Sequence, residues 1–322
     1  MRQAGRYMAE YRKLREQHTL LEICAQPALA AEVTLQPIKR LDVDAAIIFA
    51  DILLPLVPMG IDLEFAAGEG PVIHNPVRSR ADVERLRVLD PDEAVPATLE
   101  AIRLVTHELP GDLPLIGFAG GLFTVASYMI EGGSSRNYLR TKQLMYGEPE
   151  TWALLMDRLA GMTSRYLRGQ VAAGARAVQI FDSWAGALSP RDYRAHILPH
   201  TQRIVASLHT LDVPVIIFGT GTSGLLDLLT ESGADVIGVD WRVDLDRAWE
   251  RIGSDRAVQG NLDPTLLFAP RAEIERQVDA ILTQADGRDG HIFNLGHGIL
   301  PQTPVDNVQF VTELVHQHSE RD

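Results

Sequence analysis

Short runs of apolar, often β-branched residues alternate along this chain with longer stretches of helical period. The runs fall at 45–50 (AAIIFA), 114–119 (PLIGFA), 177–182 (AVQIFD), 213–218 (VPVIIF), 236–240 (VIGVD), 257–261 (AVQGN) and 291–295 (HIFNL). Continuous apolar strands separated by helices predict a parallel sheet covered on both faces. The helical period is clearest over 150–173, where Trp152, Leu155, Leu159, Met162, Tyr166 and Leu167 recur at three and four residues. Further helices are predicted near 20–41, 92–108, 190–209, 222–232, 271–285 and 304–317, two of them opened by a proline behind a hydroxyl residue (Ser189-Pro190, Thr303-Pro304). The Gly- and Pro-rich region 60–80 reads as a hairpin insertion. This order predicts an α/β fold of the (β/α)8 TIM-barrel type. Seven strands are visible where such a barrel needs eight. The missing one should precede the helix at 20–41, at or before Met1, so the first strand is expected to be truncated at the N-terminus.

Length and composition narrow the function. A chain of 322 residues, 46% hydrophobic, suits one such barrel, and no linker or internal repeat divides it, so residues 1–322 are expected to form a single domain. The formal charge of -13 argues against a nucleic-acid surface. It leaves room for an anionic small ligand in a locally positive cleft. Cys24 is the only cysteine, which excludes an internal disulfide and a cysteine-based metal cluster. No apolar run reaches the roughly 18 residues of a membrane span, and no signal peptide opens the chain, so a cytoplasmic protein is expected.

In a barrel of this kind the residues at the C-terminal ends of the strands line the active site. That rule selects Asp51, Asp182, Ser183, Asp240, Asn261 and His297. Asp51 sits among apolar neighbours and needs a partner; it could cap the following turn or accept N–H groups from a ligand. His297 lies between two glycines, which let a ligand approach closely. Ser183 has no His–Asp pair arranged around it, so a nucleophilic role is not supported. At the start of the chain Arg2 and Arg6 flank Gln3, Ala4 and Gly5. Two permanently charged planar forks suit carboxylates; the alternative is a solvated basic helix start.

Several segments together resemble one family. MRQAGRYMAEYR, IIFADILLPLVPMG, GGLFTVASYMIEGG, QIFDSWAGALSP, VQGNLDP and FNLGHGILP are similar, in order and spacing, to the signatures of the uroporphyrinogen decarboxylase family, and the likeness spans the whole chain. Members of that family usually carry some tens of residues before the first motif, and this chain begins inside it. The resemblance implies removal of carbon dioxide from the four acetate side chains of uroporphyrinogen III, giving coproporphyrinogen III in haem and porphyrin biosynthesis. It implies no cofactor and no metal, a homodimer, and no nucleic-acid or membrane partner. It implies that Arg2, Gln3, Ala4, Gly5, Arg6, Asp51, Tyr128, Ser183 and His297 bind the substrate, with Asp51 and Arg2 catalytic. Tyr128 would otherwise read as core. Since the guanidinium pKa stays above about 12, relay through a bound water is easier than proton donation by Arg2 itself.

Three other readings compete. Gly-Thr-Gly-Thr-Ser-Gly at 219–224, after a strand, with Asp240 about 20 residues on, matches a dinucleotide-binding fingerprint. Too few strands follow it to complete such a domain. Corrinoid-dependent methyltransferases of the same barrel type hold zinc through His and Cys, ligands that Cys24 alone cannot supply. A tetrapyrrole carrier without turnover is the third.

Overall fold

The computed structural model describes residues 3–66 and 70–319. Its main sheet holds β1 (Ala46–Ile47), β4 (Leu115–Gly120), β5 (Ala177–Phe181), β6 (Val215–Phe218), β7 (Val236–Gly238), β8 (Ala257–Gln259) and β9 (His291–Ile292); β2 (Leu63–Ala66) and β3 (Gly70–Ile73) form the hairpin expected at 60–80. The seven main strands are all parallel and lie side by side in chain order, from β1 at one edge to β9 at the other. Each predicted run is therefore a strand of one barrel-type sheet. Sequential order with helical crossovers is the topology of a (β/α)8 barrel over seven of its strands.

At the β1 edge, side chains take over the hydrogen bonds of the sheet. Ala46 and Ile48 give their N–H groups to Pro114 and Ile116 of the β4 side. The alternate groups, Ala45 C=O and Ile47 N–H, face the other way, where an eighth strand would lie. There Gln3 takes the rung: its Nε2 donates to Ala45 C=O at 2.6 Å and its Oε1 accepts from Ile47 N–H at 2.9 Å. A second glutamine completes β4. Phe118, two residues beyond Ile116, turns its backbone toward the side where β1 has ended. Gln170, fully buried on the helix Pro149–Ala173, accepts the Phe118 N–H and donates to its C=O, both at 2.8 Å. Gly117 makes room for it, since a Cβ there would stand 2.4 Å from Gln170 Oε1.

Between the strands, Phe118, Phe181 and Phe218 meet edge to face, with centroids 5.5 and 6.2 Å apart. Several predicted helices are two helices each. Residues 20–41 divide into Leu20–Ala25 and Pro27–Leu41, and 92–108 into Pro91–Ala94 and Pro96–Glu108. A proline donates no backbone hydrogen bond and pushes the residue before it out of helical geometry; Gln26 and Val95 both leave the helical region. The helix Leu122–Glu131 is a finding beyond the sequence reading. Leu122 to Ser127, Met129 and Ile130 are all buried, so its pattern has no polar face to reveal it.

Candidate active site

The C-terminal ends of parallel strands share one end of the sheet, so the loops after them converge. Asp51 follows β1, Tyr128 lies on the helix after β4, Ser183 follows β5, and His297 follows β9. The structure thus places these four candidates at one rim.

The first half of the rim is built from the start of the chain and the β1 loop. With Gln3 pinned to β1, residues 4–8 fold back as a tight turn in which Met8 N–H donates to Gly5 C=O at 3.0 Å. Tyr7 Oη closes the turn onto Gln3 C=O at 2.5 Å, and burial pushes the Tyr7 hydroxyl pKa well up. From outside, Arg12 Nη1 donates to the carbonyls of Arg6 and Tyr7, each at 2.9 Å. The turn buries Ala4 and Gly5 and leaves Arg6 exposed. A cavity of about 270 Å³ opens beside it; Ala4, Gly5, Arg6, Tyr11, Arg15 and Asp51 are among the residues that line it. Arg2 lies outside the described residues. Asp51 Oδ1 accepts the Leu53 N–H at 2.9 Å, which orients the carboxylate and starts the turn Leu54–Leu56. Its charge reaches the buried Cys24, whose thiol pKa is pushed up to about 12 by burial first and by Asp51 second. A cavity lined by Arg6, Arg15 and a carboxylate can hold an anion and still stabilise a cation formed within it.

The second half is aromatic. Tyr128, half-buried, stacks on Trp184 with ring centroids 4.1 Å apart and planes tilted by 31°. Tyr138 packs against Trp184 and Phe123 at 5.3 and 5.4 Å. Asp182 holds this cluster together. Fully buried, it accepts Thr124 N–H at 2.8 Å, Thr124 Oγ1–H at 2.6 Å and Phe123 N–H at 3.3 Å, all in the first turn of the helix Leu122–Glu131. Those bonds and the helix N-terminus favour the carboxylate. Burial outweighs them and raises its pKa above the ordinary carboxylate value. Ser183, the next residue, is half-exposed at the rim.

His297 is exposed on the loop after β9, three residues before Leu300, which lines the cavity. The glycine-rich turn 219–224 packs on Asp240. Gly221 N–H donates to Asp240 Oδ2 at 2.6 Å, so the two halves of the apparent fingerprint bind each other. Asn261 is likewise engaged, through Nδ2, with the carbonyls of Asp240 and Val243 at 3.0 and 2.7 Å. Among the described residues no group of three His, Cys, Asp or Glu side chains could hold a metal ion, and no helix is long and apolar enough to cross a membrane. Tyr11, Arg15, Trp184 and Trp241 escaped the sequence reading. Tyr11 and Arg15 sit four apart on the helix Ala9–Gln17, a spacing that puts both on one face.

Solved structures share this architecture. A methyltransferase from Methanosarcina mazei superposes with a TM-score of 0.80 at 20% identity, over 93% of this chain and 88% of that one. A B12-independent methionine synthase from Shewanella follows at 0.63 and 11% identity, over 94% and 90%. At such identities the likeness concerns the fold alone. Sequence relatives are far nearer. The uroporphyrinogen decarboxylase of Sorangium cellulosum is 62% identical over 316 residues, 98% of this chain and 90% of that protein. A uroporphyrinogen decarboxylase of Thermus thermophilus is 56% identical over 317 residues, 98% and 92%. The model of the uroporphyrinogen decarboxylase family matches residues 1–318, and the chain belongs to that family.

Proposed function

We propose that this chain is a carboxy-lyase that decarboxylates uroporphyrinogen in tetrapyrrole biosynthesis. Its finer assignment is conversion of the four acetate side chains of uroporphyrinogen III to methyls, giving coproporphyrinogen III without a cofactor. The observation that carries this reading is the cavity that Arg6, Arg15 and Asp51 line together at the C-terminal rim.

The chemistry needs a place for the electrons of the breaking C–C bond, and a pyrrole supplies one. A ring carbon takes up a proton and the ring becomes a cationic iminium. Carbon dioxide leaves, and the bonding pair neutralises the iminium. The exocyclic carbon then takes a proton while the ring carbon releases its own, so each carbon dioxide consumes one proton overall. Asp51 supports this in two ways: it accepts the inward pyrrole N–H groups, and its fixed charge stabilises the cationic ring. Arg2 and Arg6 hold acetate or propionate carboxylates, joined by Arg15 on the cavity wall, with Gln3, Ala4 and Gly5 setting the backbone between them. Tyr128, Ser183 and His297 donate to further carboxylates around the rim. Arg2 is assigned a part in the protonation step through a bound water, because a guanidinium does not release its own proton near neutral pH. The protein acts as one domain over 1–322, as a cytoplasmic homodimer.

The direct test is anaerobic incubation with uroporphyrinogen III, followed by oxidation and separation of the porphyrins by carboxyl number. Stepwise appearance of seven-, six-, five- and four-carboxyl products is expected. A purified, folded chain that leaves the eight-carboxyl substrate unchanged would overturn the proposal.

A further inference from the structure

His297 stands on an exposed loop, where a side chain by itself samples its rotamers on the picosecond-to-nanosecond scale. Its surroundings restrict it. Nδ1 accepts the Gly298 N–H at 2.6 Å, so a neutral ring carries its proton on Nε2. The ring meets Trp241 nearly at right angles, with planes at 81° and centroids 6.3 Å apart.

Trp241 is itself held from two sides. The Arg242 guanidinium lies 4.0 Å above its ring and is tied to the buried Asp240 carboxylate by an ion pair. Asp240 is fixed in turn, since its Oδ2 accepts Gly221 N–H at 2.6 Å and its Oδ1 accepts Arg242 N–H at 3.2 Å. From the other side comes the His297 loop. Gly296 N–H donates to Leu262 C=O at 2.7 Å, and a Cβ at Gly296 would stand 2.6 Å from Trp241 N. Only glycine allows the loop to lie that close to the indole's backbone. The glycine-rich turn, Asp240, Arg242 and Trp241 therefore form one support that ends at the His297 ring.

We propose that Trp241, clamped by Arg242 on Asp240, is a positioning residue for His297, holding the ring so that Nε2–H meets a carboxylate of the bound tetrapyrrole. The inference rests on the function proposed above, and its test is built to fail separately from it. With histidine-selective 15N labelling, and with His297→Gln to assign the signals, the His297 ring of the wild-type protein should show the Nε2-protonated tautomer. Trp241→Ala should move it toward a tautomer mixture, and Trp241→Phe should restore it. In kinetics, Trp241→Ala should raise KM by about tenfold, the loss expected for one aromatic contact with its cation. kcat should stay within about twofold, as for an interaction that serves binding. Arg242→Met, which keeps the aliphatic stem and removes the charge, should raise KM less. The double variant Trp241→Ala/His297→Gln should have the KM of His297→Gln alone. Unchanged 15N signals in Trp241→Ala, or additive effects on KM, overturn the proposal. A wild-type chain inactive on uroporphyrinogen would overturn the function instead, while the ring spectra would still decide the positioning.

Discussion

Replacing Asp51 by asparagine separates the charge of the site from its shape. Asp51 Oδ1 accepts the Leu53 N–H at 2.9 Å, and the asparagine amide oxygen keeps that bond, so the turn Leu54–Leu56 and the cavity wall persist. What disappears is a full negative charge beside the reacting ring. Two unit charges about 4 Å apart interact by about 4 kcal/mol at an effective dielectric near 20. The amide dipole recovers part of this, leaving a loss of about 3–4 kcal/mol in the cationic state. That slows turnover by about two to three orders of magnitude. The substrate ground state carries no charge on its pyrroles, and the amide oxygen still accepts N–H groups, so KM should change far less than kcat. The assay is initial-rate decarboxylation of uroporphyrinogen under anaerobic conditions, with thermal unfolding as a control on the fold. A kcat within about tenfold of wild type, less than 1.4 kcal/mol of barrier, in a variant of unchanged Tm would refute charge stabilisation by Asp51.

Other perturbations test the frame that carries the site. Gln170→Leu leaves the buried Phe118 N–H and C=O without their partner; at about 1–3 kcal/mol per unpaired group, Tm should fall by several degrees, and an unchanged Tm would refute the bridging role. Asp182→Asn tests the buried carboxyl. Its pKa is raised by burial, so the folded state keeps the proton to higher pH than the unfolded chain does. The associated stability is complete below about pH 3.9 and is lost as pH rises through the folded value. The Tm of wild type minus that of Asp182→Asn should therefore decrease as pH rises above about 3.9, and a pH-independent difference would contradict the assignment. Exhaustive chelation and dialysis should leave the decarboxylation rate unchanged; recovery only with zinc, pyridoxal phosphate or a nucleotide would show that a cofactor takes part.

The barrel was legible because each strand is a continuous apolar run, and such runs are what a sheet covered on both faces requires. The rim positions of Asp51, Ser183 and His297 were legible because they follow the predicted strands directly, and strand ends are where a barrel displays its chemistry. What those acids do at the strand ends was not legible. Asp182 and Asp240 occupy equivalent positions to Asp51, yet the first holds Thr124 and the second holds Gly221 and Arg242. Each principal partner follows a neighbouring strand, Thr124 in the first turn of the helix after β4 and Gly221 in the turn after β6, at sequence separations of 58 and 19. A single sequence does not say which strand-end acid has such a neighbour. The helix Leu122–Glu131, which carries Tyr128, was hidden for the opposite reason: burial on nearly every side erased its period. Leu245, Ala248, Trp249 and Ile252 show that a short helix can keep a clear i, i+3, i+4, i+7 stripe and still pass for loop when it spans only 8 residues.

The two glutamines at the β1 edge explain how opposite charges come to face one cavity. Both sides of the site start from the same rung. Gln3 is bonded to Ala45 and Ile47, and the chain runs three residues from it to Arg6 and four from Ile47 to Asp51. Neither path has slack, because Tyr7 and Arg12 close the first onto itself and the Leu53 N–H turns the second. Phe118, held by Gln170, keeps β4 in place where β1 stops. The placing of Arg6 relative to Asp51 thus rests on side-chain hydrogen bonds to the backbone of both segments. Each segment is anchored on its own, and that suits the division of charge in the proposed decarboxylation, with the arginine for a substrate carboxylate and the aspartate for the pyrroles.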